Sequence, residues 1–332
     1  MDAGTATDAG ASVDAGPVPD GGVVHTFPPR DYVCRAGEVT PCDTTQPLRS
    51  AAERTVIVTS DMPSATLTYV VSALGLPAAS GGVAPGFNLD GLDSGDGSAS
   101  PTATCVEYAP DLGSLLEPGH VGVDNVLAEL VPTMESLLDE AACGGSTAGC
   151  VDRSIAQMIA DGSLLLLIEI ANVDSVVHDP DVTVGLYLGA VSGGGAPLLD
   201  GAGRLAPGQT FATASAIGVP VRSDIFHGRV RVLPGTITLP MSTTGVPLPS
   251  TIANAELRAD VSLDGLANGH LGGSTPLTWF VEEAERASPG IGPTVEAILE
   301  SYADIEPTSD PLYCADISSG LTLEAVRAVR TP

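Results

Sequence analysis

The chain has 332 residues, enough to bury a sizeable core in one large domain or two smaller ones. Its formal net charge is -28, from 41 acidic residues against 13 basic ones, and every basic residue is an arginine. A polyanion of this kind repels nucleic-acid phosphates and anionic lipid surfaces, so we expect no nucleic-acid partner and regard cations as the natural ligands.

The apolar residues indicate an aliphatic core without a membrane span. Hydrophobic residues make up 43% of the chain, but aromatic residues make up only 4%. The longest apolar run, at 163–173, includes Glu169 and is shorter than the roughly 20 residues that cross a bilayer as a helix.

The first part of the chain has the composition of a tether. Asp-Ala-Gly recurs at positions 2, 8 and 14, and large apolar residues are almost absent up to residue 24. Such a segment cannot bury enough surface to offset its ordering entropy. We therefore predict a disordered tether over 1–30 and a single folded β-rich domain over 31–332. No secretion leader is visible, as expected if one had been removed, and either a lipid anchor upstream or a plain flexible tail fits this segment.

Six cysteines indicate disulfide bonds and an exported protein. The even count, without a CxxC motif or a Cys/His cluster, favours disulfides over zinc. Proximity in sequence suggests two short loops and leaves one long-range bond: Cys34–Cys42, Cys143–Cys150 and Cys105–Cys314. Disulfides persist in oxidising compartments, so we expect an extracellular or cell-envelope location.

The first half of the chain predicts two strands, a long acidic loop and two helices. β-branched residues mark the strands, and apolar residues recurring every three or four positions mark the helices. Asp124 is a candidate N-cap or first-turn anion of the first helix. The predicted strands are 54–60 and 66–77, and the predicted helices are 122–142 and 150–162.

The second half predicts a series of strands linked by Gly/Pro turns, interrupted by two helices. Strands are predicted at 163–173, 182–191, 208–217, 228–241 and 251–265, and the segment 266–274 closes a hairpin. Helices are predicted at 276–287 and 292–305. A last strand is predicted at 314–329, although a helix is the alternative for the second half of this segment. This pattern predicts a mainly β (α+β) fold, an antiparallel sheet or β-sandwich with several packed helices, stabilised by disulfides.

One acidic loop has the character of a calcium site. The segment "GFNLDGLDSGDG" at 86–97 places one Asn and three Asp side chains among glycines, and "GVDN" follows about thirty residues later. Calcium takes six to eight oxygen ligands in irregular geometry, although the glycine spacing is not that of an EF-hand. No basic residue occurs between Arg54 and Arg153, so a cation would relieve repulsion there. The candidate ligands are Asn88, Asp90, Asp93, Asp96, Asp124 and Asn125; the alternatives are a solvated loop of Asx turns and ordinary helix capping.

Catalytic motifs are absent from the sequence. The five histidines are isolated, no HExxH or GxSxG motif occurs, and no lysine is present for a phosphate-binding P-loop. We expect His178, in a turn, and His270, beside glycines, to be exposed to solvent. A catalytic pair of carboxylates would meet only in the folded chain, so this possibility stays open.

Several segments together resemble a known group of exported proteins. These are "GFNLDGLDS" and "GVDN" before a helix, "IADGSLLLLIEIANV", "NGHLGG" and "CADISSGLTLEAVRAV". Over most of 86–329 the chain is similar to predicted cell-envelope lipoproteins of myxobacteria and related bacteria, which often carry Asp/Ala/Gly-rich tethers. The resemblance implies a secreted or envelope location and no particular activity.

The sequence therefore favours a secreted or surface-tethered, non-enzymatic structural or binding module, and it allows two alternatives. The first alternative is a carrier of an apolar, lipid-like ligand, suggested by the aliphatic content and a mean hydropathy of +0.25. The second is a hydrolase that uses carboxylates, which requires two acids close together with raised pKa values.

We predict three disulfides in the native protein. Mass spectrometry of the unreduced and the reduced chain should show a gain of two hydrogens per bond, with all six cysteines resistant to alkylation until reduction. Alkylation of any cysteine in the unreduced native chain would contradict the prediction.

Overall fold

The computed structural model describes most of the chain. The described residues are 22–28, 34–35, 51–90, 111–115, 120–136, 140–141, 143–239, 251–287, 289–308 and 313–331. In chain order the elements are β1 Val23–Thr26, β2 Cys34–Arg35, β3 Thr55–Val58, β4 Ala65–Gly75, β5 Val83–Ala84, β6 Gly113–Ser114, β7 His120–Val121, α1 Val126–Ser136, α2 Cys150–Asp161, β8 Leu166–Val173, β9 His178–Val191, β10 Thr210–Ala216, β11 Val221–Phe226, β12 Arg229–Thr238, β13 Thr251–Val261, β14 Gly265–Pro276, α3 Leu277–Ala287, α4 Gly292–Leu299, β15 Ile305–Pro307 and β16 Cys314–Thr331.

The central feature is a closed antiparallel barrel of eight strands. Its circuit runs β4–β8–β9–β11–β12–β13–β14–β16, and β16 returns to pair with β4. Closure gives each of these strands a partner on both edges and so removes free edges from the sheet. β10 pairs with the C-terminal parts of both β9 and β16, and β15 adds to β16.

The mainly β prediction is confirmed, but the β-sandwich is wrong as such, because the sheet closes on itself. Strands of a sandwich and of a barrel alternate in the same way along the sequence. The difference lies in the long-range pairing of β16 with β4, which no local pattern reports.

Register divides the barrel strands into an interior and an exterior face. Val232, Leu257, Leu271 and Leu321 are register partners on four successive strands, and all are buried in the main hydrophobic cluster. Since successive side chains of a strand point to opposite faces, these four residues line the interior. The neighbouring row, Arg231, Arg258, His270 and Thr322, therefore lies on the exterior face.

The helices cover part of this exterior face. α2 packs on β4, where the backbone N–H of Leu76 donates to Asp152 Oδ1 at 2.7 Å. α1 begins at Val126 rather than at residue 122, because the Asn125 side chain caps it. The fourth predicted helix ends at Leu299, since the chain then forms β15. Within the described residues no helix is long and apolar enough to cross a membrane.

The disulfide predictions are supported in the part that the structure describes. Cys143 and Cys150 are bonded, as predicted. Cys314 is also disulfide-bonded, but its predicted partner Cys105 lies outside the described residues, as does Cys42 of the predicted Cys34–Cys42 pair. Among the described cysteine side chains none is a free thiol.

The chain is structured before the predicted end of the tether at residue 30. β1 pairs with β3, and the Phe27 ring is buried 4.9 Å from the ring of Phe226. The short apolar run that ends in Phe27 can bury surface, unlike the Asp/Ala/Gly repeats. Residues 1–21 lie outside the described residues.

Two glycines make a flat patch on the exterior face of the barrel. Gly272 on β14 and Gly320 on β16 are register partners. A Cβ at Gly272 would lie 2.8 Å from the Phe87 ring, and one at Gly320 would lie 2.4 Å from the Pro85 carbonyl oxygen. The absence of side chains therefore lets the segment around Phe87 lie directly on the sheet.

We predict that Gly320→Ala destabilises the protein by about 1–3 kcal/mol, because the new methyl group forces the segment of Pro85 away from the sheet. Urea unfolding would measure the loss. Gly201→Ala is the matched control, since a Cβ there meets no atom within 4 Å. Equal stability of the two variants would contradict the flat-patch interpretation.

Candidate functional site

The segment around Phe87 and the start of α1 are held together on this patch by Asn125. Its Nδ2 donates to the carbonyl oxygens of Pro85 and Gly320, and its Oδ1 accepts from the backbone N–H of Ala128 at 3.1 Å. The amide thus bonds loop, barrel and helix at once. The bond to Ala128 is that of a helix cap, so Asn125 fits the helix-capping alternative.

Asp124 places a carboxylate beneath the acidic loop. Its backbone N–H donates to the Phe87 carbonyl at 2.9 Å, and its Oδ2 accepts from the backbone N–H groups of Leu89 and Asp90. These bonds join the described part of the loop to the start of "GVDN". Asp124 is only 2% exposed, and its Oδ1 is buried without a hydrogen-bond partner among the described residues.

The charges of three further acids act on Asp124. Burial raises the pKa of Asp124 well above its ordinary value, and the charges of Asp111, Asp90 and Asp304 raise it further. We call Asp90, Asp111, Asp124 and Asp304 the acidic cluster. Like charges at short range in a low-dielectric site cannot all ionise without a compensating proton or cation.

Asp304 is connected to α1 through Ser318 of β16. The Ser318 backbone N–H donates to Asp304 Oδ1 at 2.8 Å, its hydroxyl donates to Asp304 Oδ2, and the same hydroxyl accepts from the Val126 N–H at 3.0 Å. Burial raises the pKa of Asp304 to about 8, although the Ser318 bonds act in the opposite direction. Asp304 is therefore largely protonated near neutral pH in this environment.

The six predicted calcium ligands fall into two groups. Asn88, Asp90, Asp124 and Asn125 lie in the described segments that meet at the patch, whereas Asp93 and Asp96 lie outside the described residues. Sequence reasoning did not select Asp111 and Asp304, because each comes from a distant segment and nothing in its local pattern marks it. No group of three or more His, Cys, Asp or Glu arranged to hold a metal ion occurs among the described residues.

A second charged group lies on the exterior row next to the patch. Arg231 forms an ion pair with Glu256 at 2.5 Å, and Arg258 Nη2 lies 3.8 Å from the same carboxylate. All three side chains are buried, and the Arg258 guanidinium lies 5.3 Å from the centroid of the Phe87 ring. The Phe87 segment thus covers cationic side chains as well as glycines.

The expectation that His270 is exposed is wrong. His270 is 2% exposed, because its strand lies beneath other elements. Burial lowers its pKa to about 4, with the charges of Arg258 and Arg229 adding to the shift. His178 is partly buried beside His227, and burial lowers its pKa as well.

A cleft of about 600 Å³ lies on the same exterior face. Its floor is formed by β4, β14 and β16, and its walls by α2 and the turn at 202–204. Its charged and polar lining consists of Asp152, Arg204, His270, Thr322 and Glu324, and apolar lining residues include Leu115 and Ile159.

Comparisons with known proteins found no match. No protein-family model matches the chain, and no match was found among the curated proteins or the solved structures. Functional conclusions therefore rest on the residues themselves.

We predict that the stability of the metal-free protein falls as the pH rises from about 4 to about 8. In the unfolded chain Asp304 loses its proton near its ordinary pKa, whereas in the folded chain it keeps the proton up to a pKa of about 8. The folded state therefore binds more protons in this interval, which makes the slope of unfolding free energy against pH negative.

Urea unfolding in chelator at several pH values would measure this slope. Asp304→Asn removes the titrating group and should flatten it by up to about 1.4 kcal/mol per pH unit. A slope that is the same in the variant and the parent protein would contradict the assignment.

Proposed function

We propose that the chain is an exported, non-enzymatic barrel module, secreted or held at the cell envelope, that serves a structural or binding role and is stabilised by calcium at the acidic cluster. The observation that carries the calcium proposal is the buried Asp124 Oδ1, which has no hydrogen-bond donor among the described residues, on a carboxyl whose pKa is raised by the charges of three other acids. A divalent cation would compensate the charge that this arrangement concentrates.

The ligands we propose come from the acidic loop and the residue beneath it. Asp124 would bind through Oδ1, since Oδ2 already accepts backbone hydrogen bonds. Asp90 lies in the same segment, and its charge raises the Asp124 pKa. Asp93 and Asp96 stay in the proposal on the strength of their spacing alone, and Asn88 as a buried residue of the loop.

Export is supported by the chemistry of the cysteines. One predicted disulfide is formed, and Cys314 is also bonded. Bonds of this kind persist in oxidising compartments, where free calcium is also more abundant than in the cytosol. The resemblance to envelope lipoproteins points to the same location.

The two alternative functions have less support. The interior layer of Val232, Leu257, Leu271 and Leu321 uses apolar side chains to pack against one another, so the aliphatic composition does not require a carried ligand. The raised pKa values of Asp124 and Asp304 suit a carboxylate hydrolase. Both acids, however, are at most 3% exposed, whereas a catalytic acid must touch its substrate.

We predict that calcium raises the melting temperature of the protein. At a free concentration about 100-fold above Kd the gain is about 2.7 kcal/mol, on the order of 5 °C for a chain of this size. Differential scanning calorimetry in calcium and in chelator would measure the shift. Asp124→Asn should lose most of it.

Asp181→Asn is the matched control, because it removes the same charge from an exposed ion pair with Arg222. It should keep the full calcium response. An equal response in both variants would indicate general screening of the net charge, and no response in the parent protein would overturn the calcium proposal.

A further inference from the structure

The cleft contains a buried imidazole with unused hydrogen-bonding capacity. The His270 side chain makes no hydrogen bond to any described residue, and its Nδ1 is sealed from solvent. Its Nε2 is not among the sealed atoms, so the small exposed part of the side chain includes this nitrogen. His270 is one of the residues that line the cleft, so Nε2 is the atom that we take as available to a ligand.

The charge state of His270 limits the ligand. Its pKa of about 4 leaves the imidazole neutral at neutral pH, with one nitrogen that donates and one that accepts. A hydroxyl group satisfies Nε2 in either tautomer, because it both donates and accepts. An ammonium group can only donate, and a carboxylate can only accept.

The rest of the lining also mixes donors and acceptors. Asp152 and Glu324 accept, Arg204 donates, and the Thr322 hydroxyl can do both. Arg204 and Glu324 form an ion pair in which both side chains are about half exposed. The two carboxylates disfavour an anion, whereas a cationic amine would compete with Arg204 for the Glu324 carboxylate.

The apolar part of the lining completes the match. Leu115 and Ile159 offer surface for the C–H face of a ring, and the volume of about 600 Å³ lies within the range of small-molecule sites, about 300–1,000 Å³. Gly75, with no side chain, keeps the floor open between Thr322 and Asp152.

We propose that this cleft binds a small neutral polyhydroxylated molecule, a mono- or disaccharide, through His270, Thr322 and the Arg204–Glu324 pair. The site shares no lining residue with the acidic cluster, so it goes beyond the calcium proposal and stands without it. A free sugar and the terminal sugar of a polysaccharide present the same chemistry.

The test is saturation-transfer NMR and calorimetry of the full chain with a panel of probes. The panel contains glucose, galactose, mannose and N-acetylglucosamine, their common disaccharides, and butylamine and acetate as a cation and an anion of similar size. Concentrations up to about 10 mM detect a Kd in the millimolar range. Soluble polysaccharides with the same terminal sugars form a separate arm.

Two neighbouring variants on α2 provide the matched comparison. Ala156 is exposed and lines the cleft, whereas Gln157 is exposed and does not line it. Ala156→Phe should fill the cleft and weaken saccharide binding at least about tenfold, which corresponds to about 1.4 kcal/mol, and Gln157→Phe should bind like the parent protein. If Ala156→Phe does not fold, Arg204→Ala replaces it, with Arg222→Ala as control, since both arginines form exposed ion pairs.

Each outcome decides the proposal. Binding of a free saccharide that Ala156→Phe weakens supports it, and additional binding of the polysaccharide identifies the terminal sugar of a glycan as a second source. Binding of polysaccharide alone, if Ala156→Phe weakens it, supports the terminal sugar as the source. Absence of any saccharide binding, preference for butylamine or acetate, or equal binding by both α2 variants overturns it.

Discussion

The pairing of β16 with β14 on one edge and β4 on the other is the interaction on which the rest of the structure depends. It closes the barrel, and it also fixes the exterior face of β16 in space. That face carries every second residue of the strand, namely Ser318, Gly320, Thr322 and Glu324. Ser318 donates hydrogen bonds to Asp304 of the acidic cluster, and the Gly320 carbonyl accepts one from the Asn125 amide. Thr322 and Glu324 line the cleft. One strand therefore contributes to both candidate sites, since Ser318 and Thr322 lie about 13 Å apart along it at a rise of about 3.3 Å per residue.

Charge is distributed on this face in a way that the total of -28 does not reveal. The acidic cluster lies where the loop and α1 meet β16, and the buried Arg231–Glu256–Arg258 group lies across β12 and β13. The segment of Phe87 touches both, through hydrogen bonds to Asp124 and through its ring over Arg258. Burial of these charges is tolerated only with partners, so the segment's place on the sheet and the ionisation of the groups beneath it are linked.

Local patterns in the sequence predicted much of this structure. The long strands β4, β8 and β16 and the helix α2 match their predicted spans closely, because alternation, β-branched residues and terminal glycines are local signals. The Cys143–Cys150 bond was predictable for the same reason.

What the sequence could not predict depends on distant contacts. Barrel closure, the approach of Asp304 and Asp111 to Asp124, and the burial of His270 all arise from pairing between remote strands. An isolated histidine beside glycines gives no local sign that other elements will cover it. The glycines themselves were informative in retrospect: Gly272 and Gly320 are where another part of the chain lies against the sheet.

Closure by β16 also has a consequence for the order of folding. β4 is the first barrel strand in the chain and β16 the last. The edge of β4 that pairs with β16 therefore has no barrel partner until the last strand has been synthesised. Joining such distant segments carries a large loop-closure entropy and makes folding slow. Before the barrel closes, the unpaired edge of β4 could pair with another copy of the chain. Strong mutual repulsion between highly anionic copies would then act as protection against aggregation, a role for the excess of acidic residues that needs no ligand at all.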